Sequence, residues 1–207
     1  MLRPRICLLY LEFKSDKINL SMKLIKLEKL HEGKYLSYYV ADYLTELGHV
    51  KSYEFISRDK NLTMDSFGKG KPQGVGMVPF SMDGQKVLLQ KEFRLATNNW
   101  VYNFPAGLID EGETPEIAAK RELKEETGVE LVKIIDSLSP CFASQGTSDE
   151  MMSIVICYCD GEIKKSCFED EEIQANWYTK EQIKELLDKG VYMSVRTQMF
   201  LWQWVNQ

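Results

Sequence analysis

Glu122, Glu125 and Glu126 stand three and four positions apart inside an acidic stretch, residues 107–129, GLIDEGETPEIAAKRELKEETGV. At about 100° per residue, a helix would gather the three carboxylates on one arc of roughly 100°. Like charges so placed destabilise a helix by about 0.2–0.5 kcal/mol per pair. A cation held between them offsets that cost. Hard oxygen ligands suit Mg²⁺ or Mn²⁺, and Mg²⁺ is commonly held by one or two carboxylates together with substrate phosphates. The stretch carries seven acidic and three basic side chains, a net −4 out of the chain's −5. The same charges also read as a solvated helix face laced by pairs such as Glu116–Lys120.

The surrounding chain must supply a helix here and a scaffold to hold it. Thr114 is an N-cap residue, Pro115 follows at the first helical position, and Gly128 ends the helix. Strands are predicted at 74–80, 86–93, 131–138, 153–159 and 175–178, with Gly68, Gly70 and Pro72 breaking the chain before them. Thr179 with Gln182 forms a capping box for a helix to about Lys189, and Ser194 caps a last one. Ahead of these, residues 22–58 read as short strands: Leu24, Leu27 and Leu30 line the first, and the next two span 35–43 and 50–58. The pattern predicts an α/β (α+β) layered domain over 69–207, a β-rich segment over 22–68, and an extension over 1–21 preceding Met22, the expected natural start.

The length of 207 residues allows a sizeable core, and 44% apolar with 28% charged residues excludes disordered and fibrous classes. A net charge of −5 offers no electrostatic footprint for nucleic acid. No apolar run nears the roughly 20 residues that span a bilayer. Five cysteines without a CxxC pair argue against a disulfide framework or zinc cage, and a reducing cytoplasm is expected. Two histidines, His31 and His49, lack the spacing for a zinc site or a triad. Cys157 and Cys159 are expected on one strand face in the core. The apolar stripe from Met199 to Trp204 is expected to pack in the core or at a dimer contact.

The acidic stretch matches G-x5-E-x7-R-E-U-x-E-E-x-G-U at every position, with U a bulky apolar residue: Gly107, Glu113, Arg121, Glu122, Leu123, Glu125, Glu126, Gly128 and Val129. This resembles the Nudix box, and the flanking strands are similar to the α/β/α sandwich with a mixed sheet found in Nudix hydrolases. The resemblance implies hydrolysis of a nucleoside diphosphate linked to another moiety. It assigns Glu122, Glu125, Glu126 and the carbonyl of Ala106 to metal binding, with Mg²⁺ the expected cofactor and Mn²⁺ the alternative. It gives Arg121 and Glu113 the role of orienting loop and helix around those ligands. Gly107 and Gly112 would let the loop approach metal and phosphate closely.

Further segments resemble ADP-ribose pyrophosphatases. Arg94, in Lys91-Glu92-Phe93-Arg94 at a strand end, is suited to grip a diphosphate as a bidentate donor, or is an ordinary strand-end cation. The stretch 139–150 resembles the loop that follows the box, although Gln145-Gly146 replaces the common Pro-Gly. It ends on Glu150, either a ligand-loop carboxylate or a polar residue entering a strand. The acidic stretch 168–173 resembles the loop supplying the general base, which implies Glu169 as base and Glu171 as its metal-side partner. If that loop is instead a solvated turn, a box glutamate does the base work. Lys51 to Arg58 resembles a strand where an aromatic, Tyr53 or Phe55, stacks on adenine and Arg58 binds ligand across a dimer. The aromatics serve equally as plain core residues. Asn103 stands where many relatives carry a Glu.

The resemblance therefore implies a Mg²⁺-dependent ADP-ribose (ADP-sugar) pyrophosphohydrolase that yields AMP and ribose 5-phosphate and works as a homodimer on a small nucleotide substrate. The alternatives are another nucleoside diphosphate-X, such as a GDP- or UDP-sugar, a dinucleoside polyphosphate or NADH, and a non-catalytic ADP-ribose sensor.

Overall fold

The computed structural model describes residues 22–166 and 172–207. The extension over 1–21, and Glu169 and Glu171, lie outside the described residues. The chain divides after Asp65 into two units, and each is described separately.

In the N-terminal unit, β1 (Met22–Glu32), β2 (Ser37–Thr45) and β3 (Val50–Ser57) form an antiparallel meander in that order. The leucine spacing of three in β1 departs from the strand period of two, and bulges absorb the difference. The register slips between Leu24 and Lys26, so Leu24 and Leu27 share the half-buried face. A second slip between Lys29 and His31 leaves Leu30 exposed. On β2, Ser37, Tyr39 and Ala41 alternate as buried residues.

The second unit, Ser66–Gln207, is built on a mixed sheet. Its elements are β4 (Gly74–Ser81), β5 (Lys86–Arg94), β6 (Asn99–Asn103), β7 (Ala106–Leu108), α1 (Pro115–Thr127), β8 (Glu130–Phe142), β9 (Met151–Asp160), β10 (Ile173–Thr179), α2 (Lys180–Asp188) and α3 (Val195–Val205). The strand order is β10-β5-β4-β9-β8, with β6 added to β5 and β7 to β4. β4 and β9 are parallel and the other pairs antiparallel.

Alternate side chains of the sheet feed two cores, as the pleat requires. Val75, Met77, Leu88, Val155, Cys157 and Cys159 pack on one face against Ala118, Ala119 and Leu123 of α1. Val78, Val87 and Leu89 pack on the other against Ile183 of α2 and Leu201 of α3. Each fully buried aliphatic side chain contributes about 1.5–3 kcal/mol. The result is the expected α/β/α sandwich. The C-terminal stripe splits by helical phase. Leu201 is buried, Phe200 and Trp204 pack on Phe80, and Met199 and Trp202 face solvent.

The local signals match the structure at the helix starts. Thr114 Oγ1 accepts from the Ile117 amide at 3.4 Å, Thr179 and Gln182 cap each other reciprocally, and Ser194 Oγ accepts from the Thr197 amide. Gly128 ends α1 at φ 76°, and a Cβ there would meet Lys164 Cβ at 2.7 Å. Two differences stand out. β8 runs on to Phe142, past its predicted end at 138, because Pro140 sits at a register slip between Leu138 and Cys141, where its missing N–H is tolerated. The short strands β6 and β7 have no period of their own and exist by pairing with β5 and β4. Among the described residues, no helix is long and apolar enough to cross a membrane.

Candidate active site

Arg121 organises the box. Its Nε and Nη2 grip the two Glu113 oxygens at 3.0 and 2.8 Å, a bidentate pair. Its Nη1 donates to Glu122 Oε1 at 2.9 Å and to Glu125 Oε2 at 3.2 Å, and Nη2 also reaches the Leu108 carbonyl at 3.0 Å. One guanidinium thus ties the loop between β7 and α1 to the helix. It also neutralises a face that would otherwise repel itself. Glu113 is held below the usual carboxylate range by Arg121. Glu122 is pushed up, chiefly by burial and with help from Glu125 and Asp110, while Arg121 opposes the rise. The pair Glu116–Lys120 does not form: the Glu116 carboxylate accepts from Ser137 Oγ at 2.8 Å instead. β8 runs beside α1 and offers a closer donor.

Glu126 points the other way. It is only 7% exposed, and Oε2 accepts from Gln90 Nε2 of β5 at 2.7 Å. Glu126 and Ala106 line a cleft of about 320 Å³ with Glu92, Phe93, Arg94, Glu172 and Ile173. A buried carboxylate and a diphosphate-compatible arginine therefore share one concavity. Glu92, to which the sequence alone assigns no role, joins them: Oε2 pairs with Arg94 Nη1 at 3.2 Å and Oε1 accepts from Asn103 Nδ2 at 2.8 Å. An acid on the neighbouring strand thus holds both Arg94 and Asn103. Only the β5–β6 register, which sets Glu92 near Asn103, could have revealed this.

The remaining residues fall in three places. Glu150 ends the turn between β8 and β9, its amide bonded to Ser148 Oγ. Tyr53 and Phe55 belong to β3, and Arg58 directly follows it, in the N-terminal unit. Phe55 is buried and stacked on Tyr39, ring centroids 5.6 Å apart, whereas Tyr53 is 43% exposed. Glu169 and Glu171 lie outside the described residues.

Among the described residues, no three His, Cys, Asp or Glu groups converge as a metal cluster, since Glu122 and Glu125 turn to Arg121. The donor set nonetheless fits a hard divalent ion. It is all oxygen, and the Glu122 carboxylate rests where a Cβ on Gly107 would be, so the loop leaves room for it. Gly107→Ala is expected to displace that carboxylate and cut kcat/KM by about 10–100-fold, the usual effect of misplacing a metal-site partner. The melting temperature should move little, because the displaced group is the free end of a flexible side chain. Unchanged turnover in this variant would remove Glu122 from the site.

The pattern that defines the NUDIX domain family matches residues 70–196, more than half of the chain. The chain belongs to the NUDIX family. Among Nudix relatives, it is 28% identical over 153 residues to "Putative nudix hydrolase 2" of Caenorhabditis elegans, covering 73% of this chain and 66% of that protein. It is 26% identical over 181 residues to the "ADP-ribose pyrophosphatase" of Bacillus subtilis (strain 168), covering 86% of this chain and 90% of that one. The crystal structure of an ADP compounds hydrolase superposes with a TM-score of 0.69 over 90% of this chain and 95% of the other, at 22% identity, which shows a shared fold. The chain is accordingly a Nudix hydrolase, and Nudix hydrolases generally use divalent metal ions.

Proposed function

We propose that this Nudix hydrolase cleaves the diphosphate of ADP-ribose or a close ADP-sugar, giving AMP and ribose 5-phosphate. The observation that carries the reading is the cleft shared by Glu126 and Arg94. The similarity to a Bacillus subtilis ADP-ribose pyrophosphatase along most of both chains supports the choice of substrate.

Glu122, Glu125, Glu126 and the Ala106 carbonyl would hold Mg²⁺, with Mn²⁺ the alternative, and Glu171 as a further partner. When bound, such an ion would supply charge neutralisation for the diphosphate and Lewis acidity toward the attacking water. The chain's own residues do the rest. Arg94 orients the diphosphate through paired N–H donors. Glu169 takes the proton as water oxygen bonds to phosphorus and the bridging P–O bond breaks toward the departing phosphate. Arg121 keeps the box carboxylates aligned. Glu150 contacts substrate from the β8–β9 turn, and Arg58 is the further substrate-binding residue that the resemblance implies. With Phe55 stacked on Tyr39, exposed Tyr53 is the better candidate to stack on adenine.

We further propose a homodimer in which the N-terminal sheet takes part, and a cytoplasmic location consistent with free Cys141, Cys157 and Cys159. The test is a substrate panel with Mg²⁺: ADP-ribose, GDP- and UDP-sugars, a dinucleoside polyphosphate and NADH, scored by product chromatography. ADP-ribose is expected to show the highest kcat/KM and to yield AMP. A higher value for another compound replaces the substrate, and tight calorimetric binding without turnover makes the chain a sensor.

A further inference from the structure

A second guanidinium, that of Arg196, lies near the cleft's Arg94 and Glu92 and has no role in the mechanism above. Arg196 occupies the first turn of α3, where the helix dipole disfavours a cation. Of its five N–H donors, Nη1 reaches Met152 Sδ at 3.1 Å, a weak acceptor, and among the described residues it has no ion pair. It is also close enough to Arg94 for the two positive charges to act on each other. Burial and Arg94 hold its pKa below the usual arginine range, against the pull of Glu92, Cys141 and Glu150. Both the helix N-terminus and Arg94 are unfavourable neighbours for a cation, and the exposed guanidinium has donors open to an anion.

A hydrogen-bonded chain fixes this arrangement to the cleft wall. Arg94 pairs with Glu92, Glu92 accepts from Asn103 Nδ2, and Asn103 Oδ1 accepts from the Ser194 amide at 3.0 Å. Ser194 in turn caps α3, two residues before Arg196. The start of α3 therefore cannot shift without moving the wall that carries Arg94.

We propose that Arg196 is a second phosphate-binding residue, closing with Arg94 on the diphosphate of the substrate. A doubly charged diphosphate is the ligand that satisfies two neighbouring guanidiniums, each offering a planar pair of donors. The proposal rests on the reading of this cleft as the diphosphate site, and its test is arranged to separate the two.

Inorganic pyrophosphate and ADP-ribose are titrated by calorimetry, in EDTA, into the full chain and into Arg196→Gln, Arg196→Lys and Arg94→Gln variants. A charge-assisted hydrogen bond of the usual strength corresponds to about 10- to 100-fold in Kd. Arg196→Gln is expected to weaken both ligands by that factor and to raise KM for ADP-ribose in parallel, with kcat changing far less. Arg196→Lys should recover part of the loss. The melting temperature of Arg196→Gln should hold or rise, since two unfavourable placements are relieved. Unchanged Kd and KM, a lowered melting temperature with unchanged Kd, or no pyrophosphate binding by the wild-type chain would each overturn the proposal. Pyrophosphate binding that depends on Arg196 in a chain that does not hydrolyse ADP-ribose would uphold Arg196 and refute the substrate.

Discussion

Glu126→Gln is expected to abolish turnover while leaving the fold intact. The substitution is isosteric, and an amide oxygen can still accept from Gln90 Nε2, so the buried contact survives. A carboxylate at 7% exposure is kept from water at a cost that the neutral amide avoids. The melting temperature should therefore stay level or rise. What is lost is the negative charge facing the cleft. Outer partners of a metal site typically cost about 10–100-fold when removed, and a direct ligand costs more. Loss beyond about 100-fold in kcat/KM, with unchanged circular dichroism and melting, is the expected outcome. Wild-type rates would remove Glu126 from the chemistry and, with it, the reading of the box as a metal-binding face.

Glu169→Gln is expected to lower kcat by about 10²–10⁴-fold, the usual contribution of a general base, with little change in KM. Glu169 lies outside the described residues, and its role comes from the resemblance of the 168–173 stretch. The structure contributes the neighbour at which the described chain resumes: Glu172, whose carbonyl accepts from the Phe93 amide at 3.2 Å, lines the same cleft as Glu126. The pH profile of kcat separates two cases. If Glu169 is the base, its limb disappears in the variant. If kcat and its profile match wild type, a box glutamate performs the proton transfer.

Glu126 and Arg121 show how one helix face divides its labour. The three glutamates looked equivalent on a helical wheel. In the fold, Glu122 and Glu125 turn toward Arg121, while Glu126 turns under the sheet to Gln90. A wheel gives angles about one axis, and cannot say that β5 lies on one side of that axis and a loop on the other. The same reasoning separates Tyr53 from Phe55. Both are aromatic on one strand face, yet Tyr39 of β2 takes up Phe55 and leaves Tyr53 exposed.

The box, its helix and the alternating strands were legible from the chain alone, because caps, periodicity and fixed spacings are local and short-ranged. The start and stop of α1, the capping box of α2 and the burial of Cys157 and Cys159 all follow from neighbours within a few residues. Glu92, Gln90, Asn103 and Arg196 carried no such signal. Each acquires its meaning from a residue far away in sequence, brought near by strand register or by the docking of α3 on the sheet. Contacts of that kind depend on how the layers close over one another, and folding in three dimensions alone selects which polar groups meet at the cleft.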